Sequence, residues 1–162
     1  MNTLIAYAGK TGNTAKCARR LAIRLKNVTL VDLNVEEVNP KDFDAVIVAS
    51  PVYSHKFERS VQIFLRTYQN ILENTLFAAF VTMVEYGTFN KVIAKEIAES
   101  LRKNAVAIAN FGGEVNNLTP FGWHDKIVAK SMIKLESKKH PIEFLPEAPQ
   151  KFIEELKKVN WD

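Results

Sequence analysis

A chain of 162 residues, with 47% hydrophobic and 25% charged side chains, is long enough for one domain with a full core and leaves little room for a second. Its single cysteine, Cys17, excludes an intrachain disulfide, and no apolar stretch approaches the roughly 20 residues that would span a bilayer. The net charge of +4 favours anionic ligands or partners but is weak evidence for nucleic acid, which we do not predict as a partner.

The N-terminal segment has a strand pattern and no basic stretch before its apolar run. We therefore predict no signal peptide, and a reducing cytoplasm is the simplest location. Residues 1–31 contain six basic side chains and no acidic one. A solvated helix face is the default interpretation of this run, and the alternative is that this end of the molecule binds a negatively charged ligand or partner. The six are Lys10, Lys16, Arg19, Arg20, Arg24 and Lys26.

Short apolar runs rich in β-branched residues alternate with segments of helical spacing. Continuous apolar runs are typical of strands buried on both faces, and the helical segments lie at 18–25, 61–72, 93–101, about 124–135 and about 149–159. Asn39-Pro40 limits the 33–45 connection to a short helical turn. The pattern predicts one doubly wound α/β domain over residues 1–162, with a five-stranded parallel sheet in the order 2-1-3-4-5. The predicted strands are Thr3–Ala8, Val28–Leu33, Ala45–Ser50, Leu76–Thr82 and Ala105–Phe111.

Ligands of such sheets bind beyond the carboxyl ends of the strands, so the loops after strands 1, 3 and 4 are the places to examine. The first of these loops is Gly9-Lys10-Thr11-Gly12-Asn13-Thr14, which opens the first predicted helix. Free backbone N–H groups and the helix dipole at that position attract an anion, and its hydroxyl and amide side chains can bind phosphate oxygens. The alternative is an ordinary helix cap that uses glycine for the turn.

Other phosphate-binding motifs fit this region less well. A Walker A loop ending at Gly9-Lys10-Thr11 would need a glycine where Leu4 stands, and no G-x-G-x-x-G follows the strand. A phosphoacceptor domain would need an aspartate at the end of strand 3, where Ser50 stands.

The loop at 9–14 resembles the flavodoxin phosphate loop, [ST]-x-T-G-x-T. In that family the loop wraps the FMN phosphate with backbone amides and hydroxyls. Thr11, Gly12, Asn13 and Thr14 match the pattern, whereas Gly9 stands where a serine or threonine is expected and Lys10 is placed to compensate. The resemblance implies a flavodoxin-like fold with FMN as the cofactor.

The third predicted strand adds a second match, because Phe43-Asp44 begins an apolar run that ends in Ser50-Pro51-Val52-Tyr53. This segment resembles the flavodoxin third strand, whose following loop packs on one face of the isoalloxazine ring. The resemblance implies that Tyr53 stacks on the ring, with Ser50, Ser54 and His55 as polar contacts. The alternative for Tyr53 is a surface tyrosine that caps the sheet edge.

After the fourth predicted strand comes Thr82-Met83-Val84-Glu85-Tyr86-Gly87, where the family has its second ring-contacting loop. The resemblance implies that Tyr86 is the aromatic contact there and that backbone groups near Met83 to Gly87 meet the flavin edge. A carboxylate at Glu85 that faced the flavin would disfavour its anionic reduced form and lower its potential.

Further segments resemble the menaquinone-dependent protoporphyrinogen oxidase branch of that family. They are Tyr53-Ser54-His55-Lys56-Phe57, Gly112-Gly113 and the helix from Trp123 to Lys134, although Val52 stands where the branch has arginine. The last-but-one helix also carries a stripe of lysines, with Ile127, Val128, Met132 and Leu135 at other positions. A solvated face is the default interpretation of the stripe, and docking on anionic lipid is the alternative. The lysines are Lys126, Lys130, Lys134 and Lys138.

These features together favour an FMN-dependent electron carrier or oxidoreductase, with the chemistry in the flavin. The acceptor is expected to be a redox partner protein or a quinone, and a pI near 9.1 disfavours the basic reductases that acidic flavodoxins dock. The alternatives are a protoporphyrinogen or quinone oxidoreductase at a membrane surface, and a flavin-free module that binds a phosphate ligand or a protein. No catalytic acid or base is assigned, and no metal site is predicted.

Overall fold

The computed structural model describes residues 1–114, 118 and 120–161. Its central sheet has the order β2-β1-β3-β5-β6 with all neighbours parallel, and β4 pairs antiparallel with the end of β3. This confirms the doubly wound α/β fold; the order 2-1-3-4-5 becomes 2-1-3-5-6 once the extra strand is counted. The strands are β1 (Thr3–Tyr7), β2 (Val28–Asp32), β3 (Ala45–Tyr53), β4 (Lys56–Phe57), β5 (Leu76–Thr82) and β6 (Ile108–Asn110).

The two central strands are buried along their length because helices cover both faces of the sheet. Every residue of β1 is buried, and so is every residue of β3 except its last. The register pairs Tyr7 with Ala49, and it pairs Pro51 with Thr82. The carboxyl ends of β1, β3 and β5 therefore meet at one edge, where their loops emerge together.

The helices follow the predicted segments with two differences. The 61–72 segment forms two helices that meet at Tyr68, and the 93–101 segment is interrupted at Ile97, whose backbone is extended (φ −114°, ψ 125°) while its side chain is buried. A short 3₁₀ turn at Pro40–Asp42 is the expected turn in the 33–45 connection. The helices are α1 (Asn13–Arg24), α2 (Arg59–Thr67), α3 (Gln69–Leu72), α4 (Phe89–Glu96), α5 (Glu99–Asn104), α6 (Trp123–Glu136) and α7 (Ala148–Lys158).

Two hydrophobic layers enclose the sheet. Helices α2 to α5 supply one layer, and α1 and α7 supply the other, where Phe80 stacks on Phe111 with ring centroids 4.3 Å apart. Cys17 is buried in the second layer as a small packed side chain. Among the described residues, α6 contributes nothing to either layer, although its apolar spacing resembles that of a core helix. No helix in the described part of the chain is long and apolar enough to cross a bilayer.

Candidate functional site

A cavity of about 830 Å³ lies at the sheet edge where the loops after β1, β3 and β5 meet. Residues from all three predicted loops line it, so the structure brings them together as the topology predicted. The predicted residues that line the cavity are Lys10, Thr11, Asn13, Pro51, Val52, Tyr53, Ser54, His55, Thr82, Val84 and Glu85. The predicted residues that lie outside its lining are Gly9, Gly12, Thr14, Ser50, Met83, Tyr86 and Gly87.

The start of α1 borders the cavity, which Thr11 and Asn13 line. Gly12 precedes the helix in the left-handed region (φ 85°), and no described side chain caps the helix or places an acidic group in its first turn. The Asn13 amide donates to the carbonyl of Glu114, and the Lys16 ammonium lies 3.4 Å from the Glu114 carboxylate. This helix end retains its positive dipole, with Lys10 beside it, and is suited to an anion.

Several of the predicted polar residues form hydrogen bonds that lie within the protein. Thr14 and Thr82 are buried, with their hydroxyl oxygens 2.8 Å apart. The Ser50 hydroxyl donates to the Pro51 carbonyl at 2.8 Å and accepts from the Glu58 N–H at 2.9 Å. These bonds hold the loop backbones in place. At Gly9, an added Cβ would lie 3.4 Å from the Thr14 hydroxyl, which is ordinary contact, so the missing side chain is not a steric requirement.

The aromatic ring of Tyr53 stands in the cavity wall. Its centroid lies 4.9 Å from that of Phe121 with the planes at 85°, and the Lys10 ammonium is 5.9 Å from both centroids. The Tyr53 hydroxyl is buried and has no hydrogen-bond partner among the described residues, although Thr11 lies beside it. Burial raises the pKa of Tyr53, so the phenol stays neutral at physiological pH.

A hydrogen bond between His55 and Glu85 joins the second and third loops. Nε2 of His55 lies 2.8 Å from the Glu85 carboxylate, and both side chains line the cavity. Ser54 and His55 have positive φ angles of 48° and 61°, as the two central residues of a tight hairpin turn do. That turn creates the β3–β4 pair, which was not predicted because neither residue is glycine.

The loop after β5 contacts the chain beyond α6. The Tyr86 ring stacks on the His140 ring, with centroids 4.0 Å apart and planes at 9°. Nε2 of His140 lies 3.1 Å from the buried Glu136 carboxylate, and Lys139 pairs with the same carboxylate at 2.7 Å. Hydrogen bonding from Lys139 is the main cause that holds the pKa of Glu136 below its ordinary value. Glu136 therefore stays ionised at neutral pH.

Helix α6 covers the cavity instead of the sheet. Val128, Met132 and Leu135 line it, although Val128 and Leu135 remain 45% and 60% exposed. Sequence reasoning did not assign α6, Leu118 or Phe121 to the site; the apolar spacing of the helix was visible, but its partner was not. Within the described ranges, no three His, Cys, Asp or Glu residues are grouped to hold a metal ion.

The comparisons with known proteins agree with this architecture. Residues 4–142 match the model of the flavodoxin domain family. The flavoprotein from Lactobacillus acidophilus NCFM, solved in complex with FMN, is 18% identical over 67% of this chain and 92% of that one, with a TM-score of 0.52, which shows a shared fold. No curated protein sequence matches this chain.

Two further solved structures have lower structural similarity. A flavodoxin from the domain Archaea is 14% identical over 86% of this chain and 100% of that one, with a TM-score of 0.49. Rubredoxin oxygen:oxidoreductase from Desulfovibrio gigas is 18% identical over 85% of this chain and 36% of that one, with a TM-score of 0.48. Because the family model spans most of the sequence, this protein belongs to the flavodoxin domain family.

Proposed function

We propose that residues 1–162 act as a single flavodoxin-like domain that binds one FMN in the cavity and passes electrons through it. The observation that carries the proposal is the convergence of three loops on one cavity, each with the chemistry that one part of FMN requires. The Lactobacillus acidophilus flavoprotein, which shares this fold, was solved with FMN.

The phosphate half of the ligand fits the loop after β1. Thr11 and Asn13 line the cavity at the uncapped start of α1, where backbone N–H groups and the helix dipole favour a dianion. Lys10 adds a positive charge on the same side. These groups bind and orient; none of them is required to transfer a proton.

The ring half fits the walls formed by the loops after β3 and β5. Tyr53 offers an aromatic ring in the cavity wall, on which a flat ring can pack. Apolar side chains of α6 line the same cavity, so a bound ring would displace water from them. Bound FMN supplies the one- and two-electron chemistry, while the chain sets its potential and limits access. Glu85, held by His55, is the charge that would tune that potential.

A second candidate is the oxidation or reduction of a small apolar molecule, such as a quinone, at a membrane surface. Helix α6 favours it, because Val128, Met132 and Leu135 line the cavity. Trp123 is 74% exposed on the same helix as Lys126, Lys130 and Lys134 of the lysine stripe, while Lys138 lies beyond the helix; exposed tryptophan with lysines is a combination suited to anionic lipid. The protoporphyrinogen-linked form of this candidate has no further support beyond the sequence resemblance. A redox partner protein remains the other proposed acceptor.

Titration of flavin-free protein with FMN and with riboflavin tests the proposal. We expect 1:1 quenching of FMN fluorescence and weaker binding of riboflavin, which lacks the phosphate that the start of α1 would bind. Absence of quenching by either flavin would contradict the proposal and favour a flavin-free phosphate-binding or protein-binding module. Equal affinity for both flavins would contradict the assignment of the phosphate loop alone.

A further inference from the structure

The segment between β6 and α7 forms an arm that is closed at its base. The Gly113 N–H donates to the Glu143 carbonyl at 3.1 Å, and Gly112 bridges to Phe144. We define the arm as the described residues of this segment, which are 114, 118 and 120–142. It contains α6, and its described residues lie outside both core layers. The arm is therefore held by its base and by the contacts that it makes at the cavity.

An aromatic residue on each side of α6 packs its ring against the ring of a tyrosine in one of the cavity loops. Phe121, just before the helix, packs edge-on with Tyr53 at 4.9 Å. His140, just after the helix, stacks on Tyr86 at 4.0 Å. Tyr53 is the last residue of β3 and Tyr86 follows β5, so the two residues that flank α6 link the two loops that the proposed function assigns to the flavin ring.

The polar groups around His140 fix the orientation of its ring against Tyr86. Nδ1 of the imidazole lies 3.1 Å from the Pro141 carbonyl, while Nε2 faces the Glu136 carboxylate. Lys139 holds the other oxygen of the Glu136 carboxylate. The His140 ring is thus fixed on both edges before it meets Tyr86.

We propose that Phe121 is a positioning residue, which holds the ring of Tyr53 in place for the flavin ring, and that the stacking of His140 on Tyr86 anchors the arm that carries Phe121. This inference rests on the proposed function. Aromatic pairs fix ring orientation as well as add attraction, so a flavin that packs on Tyr53 gains affinity when Phe121 has already ordered that ring. Coupling is reciprocal, so flavin binding must also stabilise the arm.

The test compares Phe121→Ala, Phe121→Leu and Phe121→Tyr in the full chain. We expect Phe121→Ala and Phe121→Leu to weaken FMN and riboflavin by the same factor, about 3- to 10-fold, because an aromatic pair contributes to the ring half of the ligand. Phe121→Tyr keeps the ring and should restore affinity. His140→Ala should weaken both flavins, and His140→Phe should bind more tightly than His140→Ala.

Trp123→Ala is the matched control, because Trp123 belongs to the same arm, is 74% exposed and does not line the cavity. It should leave both affinities unchanged. In the parent protein, FMN should slow amide hydrogen exchange at residues 123–136, and Phe121→Leu/His140→Ala should reduce that protection. Phe121→Leu retains an apolar side chain, so it tests the ring even if Phe121→Ala fails to fold.

The outcomes separate this inference from the proposed function. If the parent chain binds no flavin, the proposed function itself fails. If the parent binds FMN while Phe121→Leu and His140→Ala bind as tightly as the parent, the positioning role is wrong and the proposed function stands. A loss confined to FMN and absent for riboflavin would also overturn it, because the effect would then act through the phosphate.

Discussion

The hydroxyl oxygens of Thr14 and Thr82 lie 2.8 Å apart, and both side chains are buried. Thr14 belongs to the first turn of α1, and Thr82 is the last residue of β5. One hydrogen bond therefore joins the helix proposed for the phosphate to the strand whose loop is proposed for the ring. Its position in the protein interior makes it costly to break.

A double-mutant cycle at this pair measures that connection. We expect Thr14→Val and Thr82→Val each to lower the free energy of unfolding by about 1–3 kcal/mol, because each leaves a buried hydroxyl without its partner. The double variant should cost less than the sum of the two, with a coupling of about 1 kcal/mol. Urea denaturation gives these values, and exposed Thr29→Val serves as the control. Additive losses would show that the hydroxyls do not interact.

Gly112 closes the base of the arm in a backbone conformation that disfavours other residues. Its φ is 72°, and an added Cβ would lie 2.4 Å from the Glu143 carbonyl oxygen. We expect Gly112→Ala to destabilise the protein by roughly 2–4 kcal/mol, from left-handed strain and overpacking together. Gly122→Ala is the control, since nothing lies within 4 Å of its added Cβ. Equal melting temperatures for the two variants would contradict this account.

Glu85 lines the cavity, and we propose that its carboxylate lowers the potential of FMN bound there. Glu85→Gln removes the negative charge, so we expect the midpoint potential of bound FMN to rise by a few tens of mV, in keeping with a charge interaction of about 1 kcal/mol. Spectroelectrochemical titration measures the shift. Glu154→Gln, on the exposed side of α7, should leave the potential unchanged. A lower potential in Glu85→Gln would reverse the assigned sign.

We expect protonation of the Glu136 carboxylate to loosen the end of the arm in acid. Its pKa lies below the ordinary value of 4.5, mainly because Lys139 donates to it. Stability from this group is therefore fully present above pH 4.5 and is lost as the pH falls through the lower folded value. Hydrogen exchange at residues 132–140, corrected for the intrinsic rate, should accelerate over that window. In Glu136→Gln this acid dependence should disappear; if it persists unchanged, another group is responsible.

Burial raises the pKa of the Cys17 thiol from 9.0 to about 12. The thiolate fraction of the folded protein at pH 8 should be about 1000-fold lower than in the unfolded chain, so a thiol reagent should react only after unfolding. Because the folded pKa is the raised one, this contribution to stability is present below pH 9 and declines between pH 9 and 12. Cys17→Ser should remove the labelling signal. Rapid labelling of the native protein would contradict the buried placement.

The sheet and the position of the cavity could be predicted from local sequence. Continuous apolar runs such as Ala45–Ser50 are buried on both faces wherever they occur in a parallel sheet, and the carboxyl ends of parallel strands necessarily share an edge. That rule alone places the loops after β1, β3 and β5 together. The residue types of the loop that opens α1 were likewise sufficient to predict a phosphate site there.

The position of the arm over the cavity depends on tertiary structure and could not be predicted from local sequence. Val128, Met132 and Leu135 have the apolar spacing of a helix that packs on the core, but a helix that covers a cavity has the same spacing. The spacing shows which side of the helix is apolar and does not show what packs against that side. The β3–β4 hairpin depends on left-handed backbone at Ser54 and His55, a conformation that is uncommon for residues other than glycine. The contacts of Phe121 with Tyr53 and of His140 with Tyr86 join distant parts of the chain, so only the assembled fold could bring their rings together.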